Sequence, residues 1–291
     1  MAIHSQILHN GELRRAADPA FRAGQLGLLA GWGVFSTLRV SDGALFAWER
    51  HWARLSRDAR SFGVTIPVTA EELEADLIRL VAANGRPDCT LRIAIPRNSG
   101  GMWEGPGSDL ASDVIAMTAD SKAWGESARL SIQPNARFAA CEFAGAKVNS
   151  WGQNLTWAER AHHAGFDETI LLNERGTVAE CTSANIFVVT GSTVLTSPLS
   201  DGCLGGITRE VLLNEIRLEG ISIRERSLTV EDLYGADEVF ITSTTRDLMP
   251  VSEIAGRTLN RVSAVRLRIA QAFRDFVAAD IARRKPVPVH A

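Results

Sequence analysis

The stretch 176-GTVAECTSANIFVVTGSTVLTSP-198 decides how this chain is read. It breaks into three short runs rich in Val, Ile, Phe and Thr: "GTVAE", "ANIFVVTG" and "STVLTSP". β-branched and aromatic residues in runs of this length, separated by Ser, Thr and Gly, spell strands. No helical segment comes between them. A doubly wound parallel sheet needs a helix after each strand, so strands in direct succession argue for an α+β fold. A dinucleotide-binding fold is disfavoured again because no G-x-G-x-x-G joins a strand to a helix.

Outward from that stretch the same picture holds. Downstream come helical "ITREVLLNEIRLEG", strand "ISIRER", a short helix in "TVEDLYGA", strand "DEVFITST" and a terminal helix, "NRVSAVRLRIAQAFRDFVAADIARR". Upstream, "ETILLNE" and "ARLSIQP" are strands. Before them "GVFSTLRV" and "GALFAW" flank "SDG", a hairpin signal. Helical "ERHWARLSRDARSFG" follows. "TAEELEADLIRLVAANG" is then a helix that Thr69 can cap, with Glu72 three residues on and Gly85 past its end. "CTLRIAIPR" and "DVIAMTAD" are strands joined by the long, glycine-rich "NSGGMWEGPGSDLAS", whose length, glycines and Trp103 suggest a piece of an active-site entrance. These elements predict a smaller N-terminal α/β domain over residues 1–119 and a linker over 120–127. A larger C-terminal domain over 128–291 would follow.

Composition removes several classes of function. The 291 residues carry 45% hydrophobic and 22% charged side chains and a net charge of −3, which gives no support to a nucleic-acid or anionic-membrane partner. No apolar run is long enough to span a membrane, and the N-terminus lacks a signal peptide's apolar core. The four cysteines are far apart, with no C-x-x-C pair, as in a reduced cytoplasmic protein. No His, Cys, Asp and Glu cluster has metal-ligand spacing, and no G-x-S-x-G marks a hydrolase elbow.

What remains is a set of individually weak features. Of 31 basic residues only three are lysines, Lys122, Lys147 and Lys285. Lys147 alone sits among Ala, Gly and Phe, in "CEFAGAKVNSWGQN". An apolar setting disfavours the ammonium and leaves an amine able to form an imine, although a lysine with its head in water would look the same. "CLGGITREVLL" places Thr208 at a helix start, either as an anion site or as a plain N-cap. "FITSTTRDLMP" ends a strand in hydroxyls. Glu180 ends another strand and by default is solvated, as His162 and His163 are. Lysine, two candidate phosphate sites and a carboxylate are together the parts that hold pyridoxal phosphate. Read without that cofactor, the same features fit a non-enzymatic small-molecule or phosphate-binding protein.

In this order the motifs resemble the fold type IV pyridoxal-phosphate enzymes, the class IV aminotransferases. That family includes branched-chain and D-amino-acid aminotransferases and aminodeoxychorismate lyase. The resemblance spans nearly the whole chain and rests on "GWGVFSTLRV", "RHWARL", the lysine of "KVNSW", "VAECTSANIFVV", "GGITRE" and "TSTTRDLMPV". It implies a two-domain homodimer carrying pyridoxal 5′-phosphate on Lys147 as a Schiff base. It further implies phosphate contacts from Arg54, Ile207, Thr208 and Thr244, and Glu180 at the pyridine nitrogen. Phe35, Arg97, Trp151 and Thr245 fall at substrate-binding positions. Amino transfer between an amino acid and a 2-oxo acid is the implied reaction, with pyruvate elimination from aminodeoxychorismate as the alternative. The chain departs from the family pattern at Trp32, Ser36 and "NSW" beside the lysine.

Overall fold

The computed structural model describes residues 2–19, 21, 24–100, 110–259 and 263–284. Most of the glycine-rich connection, Trp103 included, lies outside the described residues, as does Lys285. The chain divides into two compact units. The first comprises the described residues within Met1–Lys122, Lys147–Trp151 and Val277–Ala291, and the second Ala123–Ala146 with Gly152–Phe276.

In the first unit the elements run β1 (Ile3–His9), β2 (Glu12–Arg15), α1 (Leu26–Ala30), β3 (Gly33–Ser41), β4 (Ala44–Leu45), α2 (Trp48–Ser61), α3 (Ala70–Asn84), β5 (Cys89–Pro96) and β6 (Ile115–Ala119). They form one antiparallel six-stranded sheet in the order β2-β1-β6-β5-β3-β4. β3 pairs with β5 along its length, from Gly33 opposite Pro96 to Val40 opposite Cys89. Alternation sends Val34, Leu38, Leu91 and Ile95 to one face, where they join Leu55 of α2 and Leu77 of α3 in the core. The other face receives Phe35, Thr37, Arg92 and Ala94. The predicted hairpin forms, with Asp42 and Gly43 both left-handed as a tight turn between twisted strands requires. Its second strand is shorter than expected. Ala47 turns the chain at φ 52° and gives its N–H to Asp280 Oδ2 at 2.8 Å, starting α2 at once. Thr69 and Glu72 complete the expected capping box on α3, and Gly85 ends it.

The second unit continues with β7 (Ala128–Arg137), α4 (Gly152–His163), β8 (Glu168–Asn173), β9 (Val178–Cys181), β10 (Asn185–Thr190), β11 (Thr193–Thr196), a 3-10 turn (Leu199–Asp201) and α5 (Ile207–Asn214). After these come β12 (Ser222–Glu225), α6 (Val230–Gly235), β13 (Glu238–Ser243), β14 (Asp247–Ile254), β15 (Arg257–Thr258) and α7 (Ala264–Arg284). The sheet order is β12-β11-β10-β13-β14-β7-β8-β9, with β15 on β14. β9, β10 and β11 follow one another without an intervening helix, as the opening stretch suggests, and β10–β11 and β13–β14 pair as antiparallel neighbours in sequence, while β10 also pairs antiparallel with β13 across the segment that holds α5 and α6. The sheet is nevertheless mixed, because β7 runs parallel to both β14 and β8, and β11 parallel to β12. Phe187 and Phe240 stack at 5.0 Å on adjacent strands of its core.

The division differs from the sequence expectation at two places. Residues 128–291 were expected to form one domain, yet Lys147–Trp151 groups with the first unit. Backbone pairing explains this: the Phe35 N–H donates to Lys147 O at 3.0 Å and the Asn149 N–H to Gly33 O at 2.8 Å. The last turns of α7 also join the first unit, through Asp280 and through Arg284, which pairs with Asp280 and Glu49.

Candidate functional site

In the first unit the site is built around Lys147. Its N–H is fixed by Asp58 Oδ2 at 3.0 Å, and a bridge between Val34 and Val148 holds the following residue. The Lys147 Nζ lies 4.5 Å from the Phe35 ring centroid and 5.7 Å from that of Trp151. Phe35 and Trp151 meet edge-on at 5.7 Å. Three residues named from sequence, Phe35, Lys147 and Trp151, are therefore brought together. Gly33 makes this approach possible, since a Cβ there would lie 2.5 Å from both Asn149 Nδ2 and Ile95 O.

Arg54 points into the same unit from α2. It is 6% exposed and donates to Ser36 Oγ at 3.1 Å. The Ser36 hydroxyl is 2.8 Å from His51 Nδ1, and the His51 ring is fully buried. Burial, followed by the nearby charges of Arg54, Lys147 and Arg284, holds His51 well below its ordinary pKa. Position 36, one of the departures from the pattern the sequence resembles, is thus filled by a neutral hydroxyl next to a neutral imidazole.

Arg97 sits differently from its sequence expectation as a substrate contact. Its Nε donates to Ser99 O at 2.7 Å and its Nη1 to Gly63 O at 2.9 Å, while its guanidinium lies 4.2 Å over Trp32. Arg92 was missed. It stands on the same face of the sheet as Phe35, with its guanidinium 4.0 Å over that ring, and burial lowers its pKa. No carboxylate lies within ion-pair distance of it among the described residues. The available signal was a charged residue on the face of β5 opposite to Leu91, Ile93 and Ile95.

In the second unit Glu180 and the turn before α5 are joined. Glu180 is 8% exposed, not solvated as its strand-end position suggested. Its Oε1 accepts from Arg137 Nε at 3.0 Å and its Oε2 from the Leu204 N–H at 3.0 Å. Asn185 Nδ2 donates to Leu204 O at 2.8 Å, and a Cβ on Gly206 would collide with Asn185 Oδ1. Carboxylate, asparagine and glycine together fix the turn that opens α5. Thr208 does not cap that helix. Gly206 is the N-cap, without a side-chain bond, and Thr208 lies one residue inside Ile207. Its Oγ1 is buried with no hydrogen-bond partner among the described residues, as is Thr242 Oγ1. Thr244 and Thr245 form the half-buried turn between β13 and β14, where Trp124 Nε1 donates to Thr245 O at 2.8 Å. His162 and His163 are exposed, as expected.

Among the described residues no group of three His, Cys, Asp or Glu side chains is placed to hold a metal ion, and no helix is long and apolar enough to cross a membrane. Cys89, Cys181 and Cys203 are buried thiols, with burial raising Cys89 to about 11 and Cys203 to about 12.

Comparison with known proteins places the chain in a family. The family model for amino-transferase class IV matches residues 33–254. A Methanocaldococcus jannaschii protein named "Putative branched-chain-amino-acid aminotransferase" is 32% identical over 93% of this chain and 96% of its own. The D-alanine aminotransferase of Bacillus licheniformis is 30% identical, covering 87% and 90%. Among solved structures, a T.th. branched-chain amino acid aminotransferase complexed with N-(5′-phosphopyridoxyl)-L-glutamate superposes with a TM-score of 0.85. It is 27% identical and covers 97% of this chain and 96% of its own. The chain belongs to the class IV aminotransferase family.

Proposed function

We propose that this aminotransferase moves an amino group between an amino acid and a 2-oxo acid with pyridoxal 5′-phosphate held on Lys147. The observation that carries the reading is the setting of Lys147. Its main chain is pinned to β3 and to Asp58, and its amine lies against two aromatic rings. The residues fit the cofactor on a further ground. Two buried hydroxyls, Thr208 Oγ1 and Thr242 Oγ1, have no partner among the described residues, and Thr208 lies in the first turn of a helix whose leading N–H groups have no intrahelical acceptor.

When bound, pyridoxal phosphate supplies an aldehyde that condenses with amines and a ring that takes up the electrons freed when the substrate loses its α-proton. The protein supplies the rest. Lys147 would hold the cofactor through its amine and supply the base for the substrate's α-proton. Glu180, whose carboxylate accepts from Arg137 Nε and the Leu204 N–H, would face the pyridine nitrogen and favour its protonated form. Arg54, the Ile207–Thr208 turn and Thr244 bind phosphate. Phe35 and Trp151 wall the substrate, and Thr245 is a further substrate contact. Arg92 takes a substrate carboxylate more readily than Arg97, whose Nε and Nη1 already serve backbone carbonyls.

The protein functions as a cytoplasmic homodimer on this reading. The exposed side chains of Phe138, Phe143 and Leu199 in the second unit support a subunit contact. Purified protein tests the chemistry directly. A yellow absorbance bleached by borohydride, and absent from Lys147→Ala, is expected. Protein that stays colourless with added pyridoxal phosphate would count for a non-enzymatic binder. L- and D-amino acids supplied separately with 2-oxoglutarate then define the donor, while pyruvate release from aminodeoxychorismate without an acceptor would favour the lyase.

A further inference from the structure

Behind the Thr244–Thr245 turn lies a buried ion pair that the proposed chemistry does not use. Glu168 on β8 is 2% exposed. Its carboxylate accepts from Arg246 Nη1 at 3.0 Å, from Ser183 Oγ at 2.5 Å, from the Thr182 hydroxyl and from the Thr169 N–H at 3.1 Å. Arg246 is the third residue of the turn, and its N–H donates to Ser243 O at 3.2 Å. Its side chain runs inward, with the guanidinium 4.0 Å over Trp124. The Trp124 indole in turn holds the Thr245 carbonyl. The turn is therefore clamped at two adjacent residues, by Arg246 from its side chain and by Trp124 from the backbone.

The same carboxylate reaches the other arm of the unit. Thr182 and Ser183 are the second and third residues after Glu180, so Glu168 bonds both to the segment leaving Glu180 and to the turn bearing Thr244. A buried ion pair adds little stability compared with a packed apolar pair, because both charges lose their water. What it adds here is geometry: four directed bonds on one carboxylate allow one arrangement of two segments.

We infer that Glu168 and Arg246 are positioning residues for the phosphate arm, setting Thr244 through the ion pair while touching no ligand themselves. The inference rests on the reading of Thr244 as a phosphate contact. It predicts a phosphate-specific defect. Apoprotein is titrated with pyridoxal phosphate and, separately, with pyridoxal, which condenses with Lys147 but lacks the phosphate; binding is read by absorbance. Arg246→Met weakens pyridoxal phosphate by about 10- to 100-fold, the scale of one lost charge-assisted hydrogen bond, and leaves pyridoxal within about twofold. Glu168→Gln gives a smaller loss in the same direction. Should Arg246→Met fail to fold, Arg246→Lys, which keeps the charge but not the planar fork, is expected to show an intermediate loss. Equal weakening of both ligands, or of neither, overturns the inference and leaves the pair a fold element. Thr244→Val separates the two failures. If it loses phosphate discrimination while Arg246→Met and Arg246→Lys keep it, only the inference fails; if it keeps discrimination, the phosphate reading of the turn fails and the inference with it.

Discussion

Cations in the two units are handled differently. In the second unit, buried or half-buried arginines meet carboxylates: Arg137 with Glu180, Arg246 with Glu168, Arg209 with Glu225 and Arg266 with Glu238. In the first, Arg284 likewise meets Asp280 and Glu49, but Lys147 and Arg92 lie against aromatic faces, and Arg54 donates to a serine hydroxyl. Carboxylate pairing neutralises a charge and fixes a scaffold. A cation beside a ring or a hydroxyl keeps most of its charge for an anionic ligand. Paired charge thus fixes the second unit and, at Arg284, the first as well, whereas Arg92 holds positive charge against a ring where a substrate carboxylate could use it.

Removing one cation from each unit gives the largest test of that contrast. Arg137→Met leaves Glu180 buried without its guanidinium and is expected to cost about 3 kcal/mol of unfolding free energy. Arg92→Met removes a desolvated charge that no carboxylate among the described residues neutralises, so stability should stay within about 1 kcal/mol of the parent, or rise. Its effect should fall on the KM of amino and oxo acids. Denaturant unfolding of both variants decides the matter, and equal losses would erase the distinction.

Gly206→Ala comes next. The new methyl would meet Asn185 Oδ1, the atom beside the amide that holds Leu204. An expected destabilisation of about 1–3 kcal/mol should come with weaker pyridoxal phosphate binding, because the turn that opens α5 must shift. The second variant Asn185→Ala, which removes the obstacle, should restore part of the stability when combined with Gly206→Ala.

The neutral imidazole of His51 gives the first unit a pH signature. Its folded pKa is depressed from the ordinary 6.5, so above that value both folded and unfolded chains hold it neutral and it contributes nothing to pH dependence. As the pH falls below about 6.5 the unfolded chain gains a proton that the folded chain refuses, and stability declines by up to about 1.4 kcal/mol per pH unit for this site. His51→Gln, which can still bond Ser36, should flatten unfolding free energy measured between about pH 6.5 and 5 relative to the parent. An unchanged slope would assign the acid sensitivity to other groups.

Local rules made much of this architecture legible. The "SDG" hairpin, the Thr69–Glu72 capping box and the strand succession from Val178 to Thr196 are short-range features, and each appears where composition and spacing put it. The lysine was found by its rarity and by resemblance, and its aromatic surroundings follow from Phe35 facing away from the core. Less legible was whatever depends on which distant segments meet. Glu180 looked solvated because its partner, Arg137, lies 43 residues away in sequence. The grouping of Lys147–Trp151 with β3 depends on backbone hydrogen bonds, which side-chain patterns do not report. Thr208 looked like a cap because Gly206, which starts the helix, leaves no side-chain signal.

The smallest effect is the most useful control on the comparison. Thr69 and Glu72 cap α3 in the first unit through reciprocal bonds at 3.2 and 2.8 Å, both at the exposed surface. Thr69→Ala frees one helix N–H to water and should cost about 1 kcal/mol. α3 contributes Leu73, Leu77 and Leu80 to the core but none of the charged groups proposed for the ligand. A general loosening of the first unit and a specific change in its ligand-binding charge are therefore separable. Thr69→Ala should lower the unfolding midpoint while leaving pyridoxal phosphate affinity and KM within about twofold of the parent. If this modest loss also weakens the cofactor, then binding by the first unit follows its overall stability, and the readiness of Lys147, Arg54 and Arg92 is not a matter of local electrostatics.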